Sequence, residues 1–545
     1  MSNEFRLLLK LDVSDLETAA AAWKKLSEQL DHSRTAHRRR VTGPLHASDW
    51  KGRSADAALA SLEEKESQLG RAVEQTMLLH TVLTTAETEL TAARTALRHA
   101  VRDAEDDGFD VTDDGTINPP PGGPSNYGGP LNEHRDRMER ALQRAREASA
   151  RAVTDLGLLE SSVLTSRLGW QNASGDAKQI ASHAKLYVGD MPLDKSPQQN
   201  AAWWRSLDED EQRVYLAAYP ELVGQMDGLP TTVRDEANRT VLEKHLEYVR
   251  GPEAIREMHG PKYLKYRKSL EDLNSRLDEA DGAPQHKQLY VLGLDPEDGL
   301  GDGKAIIAMG NPDKAKHTAV LVPGTNADLS GTDGQINRID KLQESAMGTS
   351  TSGAEGEVAT ITWLGYDAPE FPDGSGVDDT DRAEAGADDL RRFVQGTRAA
   401  HQGDEPSHLT VIGHSYGSTT VGAAAAQDGG LGADDIVAVG SPGMTVDRAE
   451  DLHMDPKHVY VGASHDDPIV KHFANLTLGP NPADREFGAT PMPVNDHGDH
   501  SSYWDNDGLE SQGRIIAGET PDRGSYYNDG VNPVAPDGTN PLVIG

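Results

Sequence analysis

The sequence of 545 residues contains no cysteine, and this absence excludes several kinds of chemistry. A chain without thiols has no disulfides, no thiolate catalysis and no zinc site built on cysteine ligands. The absence is neutral about the cellular compartment. A catalytic nucleophile therefore has to be sought among other side chains.

Long apolar runs are also absent. No stretch approaches the roughly 18 apolar residues from which a membrane-spanning helix is predicted. The first twenty residues, MSNEFRLLLKLDVSDLETAA, hold a three-leucine run without a cleavage site, so we expect no secretory signal. The default expectation is a cytoplasmic protein without an integral membrane segment.

Positive charge is scarce relative to negative charge. The 53 Lys and Arg residues face 89 Asp and Glu residues, which gives a formal net charge of −36. Such a charge opposes binding to nucleic acid or to anionic membranes, so no nucleic-acid partner is expected. The length exceeds what one compact core supports, and it predicts two to four domains.

The N-terminal part has helical periodicity. Leucines follow seven-residue steps from Leu62 to Leu97, with Thr76 as the one gap. In residues 14–107 only residues 42–55 interrupt the helical pattern. This pattern predicts two long antiparallel helices joined by a turn near Trp50. The strings after Trp50 and Trp170 are similar, which indicates either a degenerate helix–turn–helix repeat or a helix cap used twice.

The sequence pattern changes near Gln288, where short runs of β-favouring residues begin to alternate with helical segments. This alternation predicts a mostly parallel sheet with helices on both faces, hence the α/β class. Asp235 and Arg239, upstream of this region, are spaced for an i,i+4 ion pair. The predicted parts are a helical hairpin (1–107), a Pro/Gly linker (108–131), a helical segment (132–190), a helical region that packs on the next domain (191–282), an α/β domain (283–519) and a flexible tail (520–545).

The string GHSYG places Ser415 between a predicted strand and a predicted helix. A bare G-x-S-x-G is a weak signal, but this context is the one that a nucleophile elbow requires. Gly413 and Gly417 fit the turn because Cβ atoms two residues before and after the serine would collide. Ser415 is therefore the candidate nucleophile.

A serine needs a histidine base, and the histidine needs a carboxylate that fixes its tautomer. In an α/β-hydrolase the chain order is serine, acid, histidine. The acid is expected after a late strand, where Asp467 is the first choice and Asp466 the second. The base is expected in the last loop, where His500 is preferred to His497.

An oxyanion hole needs two backbone N–H groups. Tyr416, directly after the nucleophile, is the expected first donor. The loop after the third predicted strand supplies the second, from Thr325 or Asn326.

A metal centre is the alternative for the string NDHGDHS. His497, Asp499 and His500 resemble part of a binuclear metallohydrolase motif, but Asn495 stands where its first histidine belongs. The sequence offers no clear second cluster, and a metal centre leaves the elbow unexplained. We therefore expect no catalytic metal and no cofactor.

About residues 190–510 resemble an actinobacterial α/β-hydrolase family of unknown function with a helical N-terminal half. The resemblance rests on WWRSL, YPELVGQMDGLPTTVRDEANR, VLVPGTNA, WLGYDAP, VIGHSYGSTTVG, VGSPGM and HSSYW, of which residues 227–239 are the most specific part. It implies the α/β-hydrolase fold, with Ser415, Asp467 and His500 as the catalytic triad.

The first 107 residues separately resemble the WxG-type helical hairpins of type VII secretion, with Trp50 and Gly52 at the turn. Those systems use a Tyr-x-x-x-Asp/Glu export signal after the second helix, and residues 104–252 contain none. Leaderless export therefore lacks its expected signal. The hairpin is interpreted as a scaffold that packs on itself, or as an element for self-association or docking to another protein.

Three functions are consistent with these observations. The first is a serine esterase, similar to esterases and lipases, that cleaves a small-molecule or lipid-like ester, less readily an amide, through an acyl-enzyme. The second is a catalytically silent partner, in which the helical half binds a secreted or wall component. The third is a serine peptidase of the same fold.

Overall fold

The chain folds into two units in the computed structural model, which describes residues 2–120, 128–164, 170–251, 254, 256, 260–296, 302–349, 357–370 and 376–528. One compact unit comprises residues 1–191 and 207–220, and the other comprises residues 192–206 and 221–545. The predicted fold class, a largely helical N-terminal half before a mostly parallel α/β sheet, is confirmed. Within the described ranges, each helix is too short or too polar to cross a bilayer.

The helices follow the predicted pattern, with short 3₁₀ and π turns between some of them. They are α1 (Ser2–Leu9), α2 (Ser14–His37), α3 (Gly43–His46), α4 (Arg53–Asp106), α5 (Gly128–Leu164), α6 (Trp170–His183), α7 (Pro197–Ser206), α8 (Glu209–Ala218), α9 (Pro220–Val223), α10 (Thr231–Arg250), α11 (Pro261–Asp281), α12 (Thr332–Thr349), α13 (Asp381–Ala400), α14 (Tyr416–Ala425), α15 (Pro468–Phe473) and α16 (Asn506–Ile516).

Helices α2 and α4 form an antiparallel hairpin in the first unit. Ser27 Oγ donates to Val73 O at 3.1 Å, and His80 Nδ1 lies 2.9 Å from Ala20 O, so the pairing runs in opposite chain directions. Thr76, which interrupts the leucine steps, is buried and donates its hydroxyl to Ala72 O at 2.8 Å. Because a helical hairpin alone does not define the WxG type, that resemblance stays a prediction.

A small hairpin occupies part of the predicted Pro/Gly linker. Strands β1 (Asp110–Val111) and β2 (Ile117–Asn118) pair antiparallel. Asp114 Oδ1 accepts the Thr116 N–H at 3.1 Å and closes the turn between them. Such short strands are hidden in a sequence whose Gly and Pro content indicates a linker, and linker residues 121–127 lie outside the described residues.

The second unit is built on an eight-stranded sheet in the order β10-β9-β8-β7-β5-β6-β4-β3. Within this sheet, β4 runs antiparallel to its neighbours β3 and β6, and the other neighbouring pairs are parallel. The strands are β3 (Leu289–Asp295), β4 (Lys304–Met309), β5 (His317–Val322), β6 (Val358–Trp363), β7 (His408–His414), β8 (Asp435–Val439), β9 (Val459–Gly462) and β10 (Thr490–Pro491).

Both faces of this sheet are buried, as the continuous apolar runs of its strands predict. Along β5, Val320 and Val322 enter one core while Ala319 and Leu321 enter the other. Helices α13 and α14 cover the first core, and α10, α11, α12 and α16 cover the second. The carboxyl ends of the parallel strands meet at one edge, which is where ligand sites form in such sheets.

Helix α10 covers the edge strand β3, which among the described strands pairs with β4 alone. Asp235 Oδ1 accepts the Val291 N–H at 2.8 Å, and Asn238 Nδ2 donates to Val291 O at 3.0 Å. Arg239 Nη2 donates to Leu289 O at 3.0 Å. Side chains of residues 233–239 thus form hydrogen bonds with the backbone of β3 that a neighbouring strand would otherwise form.

The predicted pair of Asp235 and Arg239 is confirmed, with Nε to Oδ1 at 2.9 Å. Arg239 also binds Asp281 of α11 at 3.1 Å, so one guanidinium neutralises two carboxylates. Burial raises the pKa of Asp235, and the charge of Arg239 opposes that shift. The network therefore depends on Arg239.

The chain after α16 returns to the sheet. The Gly524 N–H donates to Pro491 O at 2.9 Å, and the Tyr527 N–H donates to Ala483 O at 2.9 Å. Residues up to 528, which we expected to belong to a flexible tail, are thus held by backbone hydrogen bonds that no local pattern announces. Tail residues 529–545 lie outside the described residues.

Replacing Arg239 with Met should destabilise the second unit strongly. Two largely enclosed carboxylates, each 17% exposed, lose their shared cation, so the free energy of unfolding should fall by about 3–5 kcal/mol. Denaturant unfolding followed by tryptophan fluorescence measures this change. Lys268→Met removes an exposed pair with Asp272 and is the control, with an expected loss below about 1 kcal/mol. An equally small loss for Arg239→Met would contradict the assignment.

Candidate active site

Ser415 lies at a turn of a single residue between β7 and α14. Its backbone has φ 57° and ψ −134°, a region that residues with a side chain seldom adopt. The Ser415 N–H donates to Val439 O on β8 at 3.0 Å, and the Ser418 N–H donates to Ser415 O at 3.0 Å. The strained turn thus places Ser415 at the carboxyl edge of the sheet and directly before a helix N-terminus.

The glycines beside Ser415 are required by contacts other than the expected one. A Cβ on Gly413 would lie 2.4 Å from Ser418 Cα, and a Cβ on Gly417 would lie 2.1 Å from Val322 O. The nearest obstacles are therefore the next helical turn and the end of β5, not the opposite flank of the turn. Both glycines let backbone segments approach more closely than any side chain permits.

The loop after β5 passes directly beside the serine. A Cβ on Gly324 would lie 2.7 Å from Ser415 Cβ and 3.0 Å from Tyr416 N. The phenol of Tyr366 donates to Pro323 O at 2.7 Å and fixes the start of this loop. The loop that we expected to supply an oxyanion donor is therefore adjacent to the expected first donor.

Within this loop, Thr325 and Asn326 differ in one respect that matters. The Asn326 N–H donates to Pro369 O at 2.9 Å, and Asn326 has a positive φ of 62°. This bond occupies the N–H of Asn326 and removes it from the expected pair of alternatives. Thr325 remains as the candidate for the second donor.

Asp467 and His500 form a close pair. His500 Nδ1 lies 2.9 Å from Asp467 Oδ2 and 3.0 Å from Asp467 Oδ1. Asp467 is fully buried, and its Oδ1 also accepts the Ile469 N–H at 2.8 Å as the cap of α15. Burial alone raises the pKa of Asp467, but hydrogen bonds from His500, Tyr503 and the Ile469 N–H hold it below its usual value.

The second-choice residues pair with each other instead. His497 Nδ1 lies 3.0 Å from Asp466 Oδ2, and the two side chains are 86% and 57% exposed. A pair so open to water differs sharply from the buried pair of Asp467 and His500. The geometry thus sorts the four candidates into one enclosed pair and one surface pair.

The metal alternative fits this geometry poorly. His497 turns to Asp466 and His500 turns to Asp467, while Asp499 accepts the Ser501 N–H at 2.9 Å and the Ser502 hydroxyl at 2.9 Å. The three side chains of the string therefore face separate partners instead of one shared point. A metal site needs its ligands to converge.

His414, the residue before the nucleophile, was not among the candidate residues. Its Nε2 lies 3.0 Å from His500 O, and the two imidazole rings are 4.8 Å apart at their centroids. Burial, together with the charges of His500 and Arg338, lowers the pKa of His414 to about 3. A neutral His414 with its proton on Nε2 therefore holds the His500 backbone against the Ser415 turn.

Two further residues near the pair, Gly440 and Tyr503, belong to sequence strings on which the family resemblance rests. A Cβ on Gly440 would lie 3.0 Å from Asp467 Oδ2 and 3.2 Å from His500 Cε1. The Tyr503 hydroxyl lies 2.6 Å from Asp467 Oδ2. In the sequence these residues are marked only by the Gly-Ser-Pro-Gly turn after β8 and by the aromatic pair after His500. Neither pattern indicates a contact with the triad acid until the fold brings the segments together.

Comparison with known proteins places this geometry in a family. A family model described as an alpha/beta hydrolase matches residues 298–478. The uncharacterized protein Rv2079 of Mycobacterium tuberculosis is 32% identical over 366 residues, covering 58% of this chain and 55% of that protein. The chain thus spans about half the length of this curated relative.

The uncharacterized proteins Rv0963c of Mycobacterium tuberculosis and Mb0988c of Mycobacterium bovis are each 31% identical over 194 residues. The match covers 35% of this chain and 68% of each relative. No solved structure matches the chain. The chain belongs to the family that these mycobacterial proteins represent, and its residues 298–478 match the alpha/beta hydrolase model.

We expect His414 to stay neutral well below neutral pH. In an unfolded chain it takes up a proton near pH 6.5, whereas in the folded chain it does so only near pH 3. It therefore favours unfolding increasingly as the pH falls through this interval. NMR of protein labelled with ¹⁵N-histidine, with His414→Gln for assignment, should show a neutral ring protonated on Nε2 at pH 5. A charged ring at pH 5 would refute the assignment.

Proposed function

We propose that this protein is a serine hydrolase that cleaves an ester, and less readily an amide, through an acyl-enzyme. The observation that carries the proposal is the buried pair of Asp467 and His500, held beside the strained turn at Ser415. Neither residue type is rare by itself. Their convergence on one sheet edge, in the chain order serine, acid, histidine, supports a triad.

In the first half-reaction, Ser415 Oγ attacks the carbonyl carbon while its proton passes to His500 Nε2. The developing oxyanion is bound by the N–H groups of Tyr416 and Thr325. Collapse of the tetrahedral intermediate breaks the ester bond, and His500 returns the proton to the leaving alcohol. The acyl group remains on Ser415 Oγ.

In the second half-reaction, water attacks the acyl carbon and gives its proton to His500. The second tetrahedral intermediate releases the carboxylic acid and restores the Ser415 hydroxyl. Asp467 stays ionised throughout, because its pKa lies below the usual value. It fixes the proton of His500 on Nδ1 and leaves Nε2 free to take up the serine proton.

A fluorophosphonate probe tests whether Ser415 is an activated nucleophile. Wild type should be labelled, and Ser415→Ala should lose the labelling while keeping its circular dichroism spectrum. Ser33→Ala, which changes an exposed serine of α2, should be labelled like wild type. Absence of labelling in folded wild type would exclude the enzyme and favour a catalytically silent partner. Ester and peptide panels then separate an esterase from a peptidase.

Adjacent aspartates provide a matched test of the acid. Asp467→Asn should reduce kcat by about 10³- to 10⁴-fold, because the amide no longer fixes the proton on Nδ1 of His500. Asp466→Asn, which changes the exposed surface pair, should alter kcat less than about twofold. Ester hydrolysis by the two purified variants measures both effects. The reverse order of damage would show that Asp466 is the acid.

A further inference from the structure

Tyr503 is a buried aromatic residue that the catalytic scheme does not use. Its hydroxyl lies 2.6 Å from Asp467 Oδ2, and it accepts the Ser464 N–H at 3.1 Å. The side chain is 1% exposed and sits in the core beneath the candidate triad.

We propose that Tyr503 is a positioning residue that sets the base strength of His500 by donating a hydrogen bond to the triad acid. The inference rests on the proposed serine hydrolase function and deepens it. Tyr503 does not contact the reacting atoms in this scheme. It acts only through Asp467.

The direction of this hydrogen bond is fixed by its two partners. A phenol has one proton, and the Ser464 N–H already uses the phenol oxygen as an acceptor. The proton therefore points at Asp467, whose ionised carboxylate is only an acceptor. Burial and the charge of Asp467 raise the pKa of Tyr503 above its usual value, so the phenol keeps its proton at neutral pH.

The two hydrogen bonds to Asp467 compete for the same negative charge. Both oxygens of Asp467 lie within 3.0 Å of His500 Nδ1, and Oδ2 also accepts from Tyr503. A second donor withdraws charge from the carboxylate, which therefore stabilises the imidazolium less. Tyr503 thereby weakens His500 as a base and, in return, holds the carboxylate in one orientation.

Gly440 makes the arrangement sterically feasible. A Cβ there would lie 2.8 Å from Tyr503 Cε2, 3.0 Å from Asp467 Oδ2 and 3.2 Å from His500 Cε1. Gly440 also has a positive φ of 59°. The three side chains therefore fill space that only glycine leaves open after β8.

Few other charged or titratable groups act on this cluster. His414 contacts His500 and stays neutral, while Arg338 lies over the Trp504 ring at 5.2 Å. Asp499 interacts electrostatically with Asp467 and His500, and Tyr527 interacts with Asp467 and Tyr503. Removing the Tyr503 hydroxyl therefore removes its hydrogen bond to Asp467 Oδ2, together with the acceptor of the Ser464 N–H.

Tyr503→Phe keeps the ring and removes the donor. With p-nitrophenyl butyrate as substrate, the acidic limb of the kcat/KM profile should move up by about half a pH unit. The turnover number should fall about tenfold, because the acid is less firmly oriented, while KM changes less than about twofold. Tyr526→Phe removes a phenol that donates to Ala489 O and is the control, with an unchanged profile.

A second variant reverses the sign of the effect. Site-specific replacement of Tyr503 by 3,5-difluorotyrosine gives a stronger donor of nearly the same size, so the acidic limb should move to lower pH. Opposite shifts for the two variants are expected. A lower melting temperature with an unchanged limb in both variants would reduce Tyr503 to a core residue.

The outcome for Tyr503 is separable from the outcome for the proposed function. Fluorophosphonate labelling of wild type is measured first, and its absence removes the hydrolase together with the role of Tyr503. If wild type is labelled and the pH profiles of the two Tyr503 variants match it, only the inference about Tyr503 is overturned.

Discussion

The chain reverses from β7 into α14 at one residue, and Ser415 therefore holds a positive φ of 57°. A non-glycine residue in such a conformation costs on the order of 1–3 kcal/mol and persists only where its surroundings enforce it. Here they do so through close backbone approaches. Gly413, Gly417 and Gly324 each lie where a Cβ would come within 2.7 Å of a neighbouring atom. The strain and the missing side chains together hold Ser415, which is itself buried, at the carboxyl edge of the sheet.

Buried charge is handled in the same way at two distant places of the second unit. Asp467 is tolerated without exposure because His500, Tyr503 and the Ile469 N–H all donate to it. At the edge strand, Asp235 accepts from Arg239 and from the Val291 N–H. In both networks the loss of a donor leaves a carboxylate with less compensation for its burial. One network holds the candidate site and the other closes the sheet.

Local patterns were sufficient to predict the class of the fold but not its finer elements. The apolar runs of β5 and β7 identify buried strands by themselves. The two-residue strand β10 contains a proline, and β1 and β2 lie in a glycine-rich stretch, so propensity argues against all three. Strand order depends on packing between segments far apart in sequence. The periodicity of a short sequence segment therefore does not predict the strand order.

The same distinction applies to the candidate site. Ser415 was identifiable because its partners in the turn are its own neighbours in sequence. Asp467 and His500 were identifiable through chain order, with Asp466 and His497 left open. His414, Gly440 and Tyr503 contribute through contacts with residues at least 27 positions away in the sequence. No local signal predicts those contacts. The sequence could therefore suggest candidate reacting groups but not the residues that contact them.

The central claim is that Ser415 attacks a carbonyl carbon beside a preformed oxyanion hole. A crystal structure of the protein after reaction with an alkyl fluorophosphonate tests it most directly. The account predicts phosphorus bonded to Ser415 Oγ, with the phosphonyl oxygen about 3 Å from the N atoms of Tyr416 and Thr325. A phosphonyl group on any other residue, or one whose oxygen faces away from both N–H groups, would contradict it.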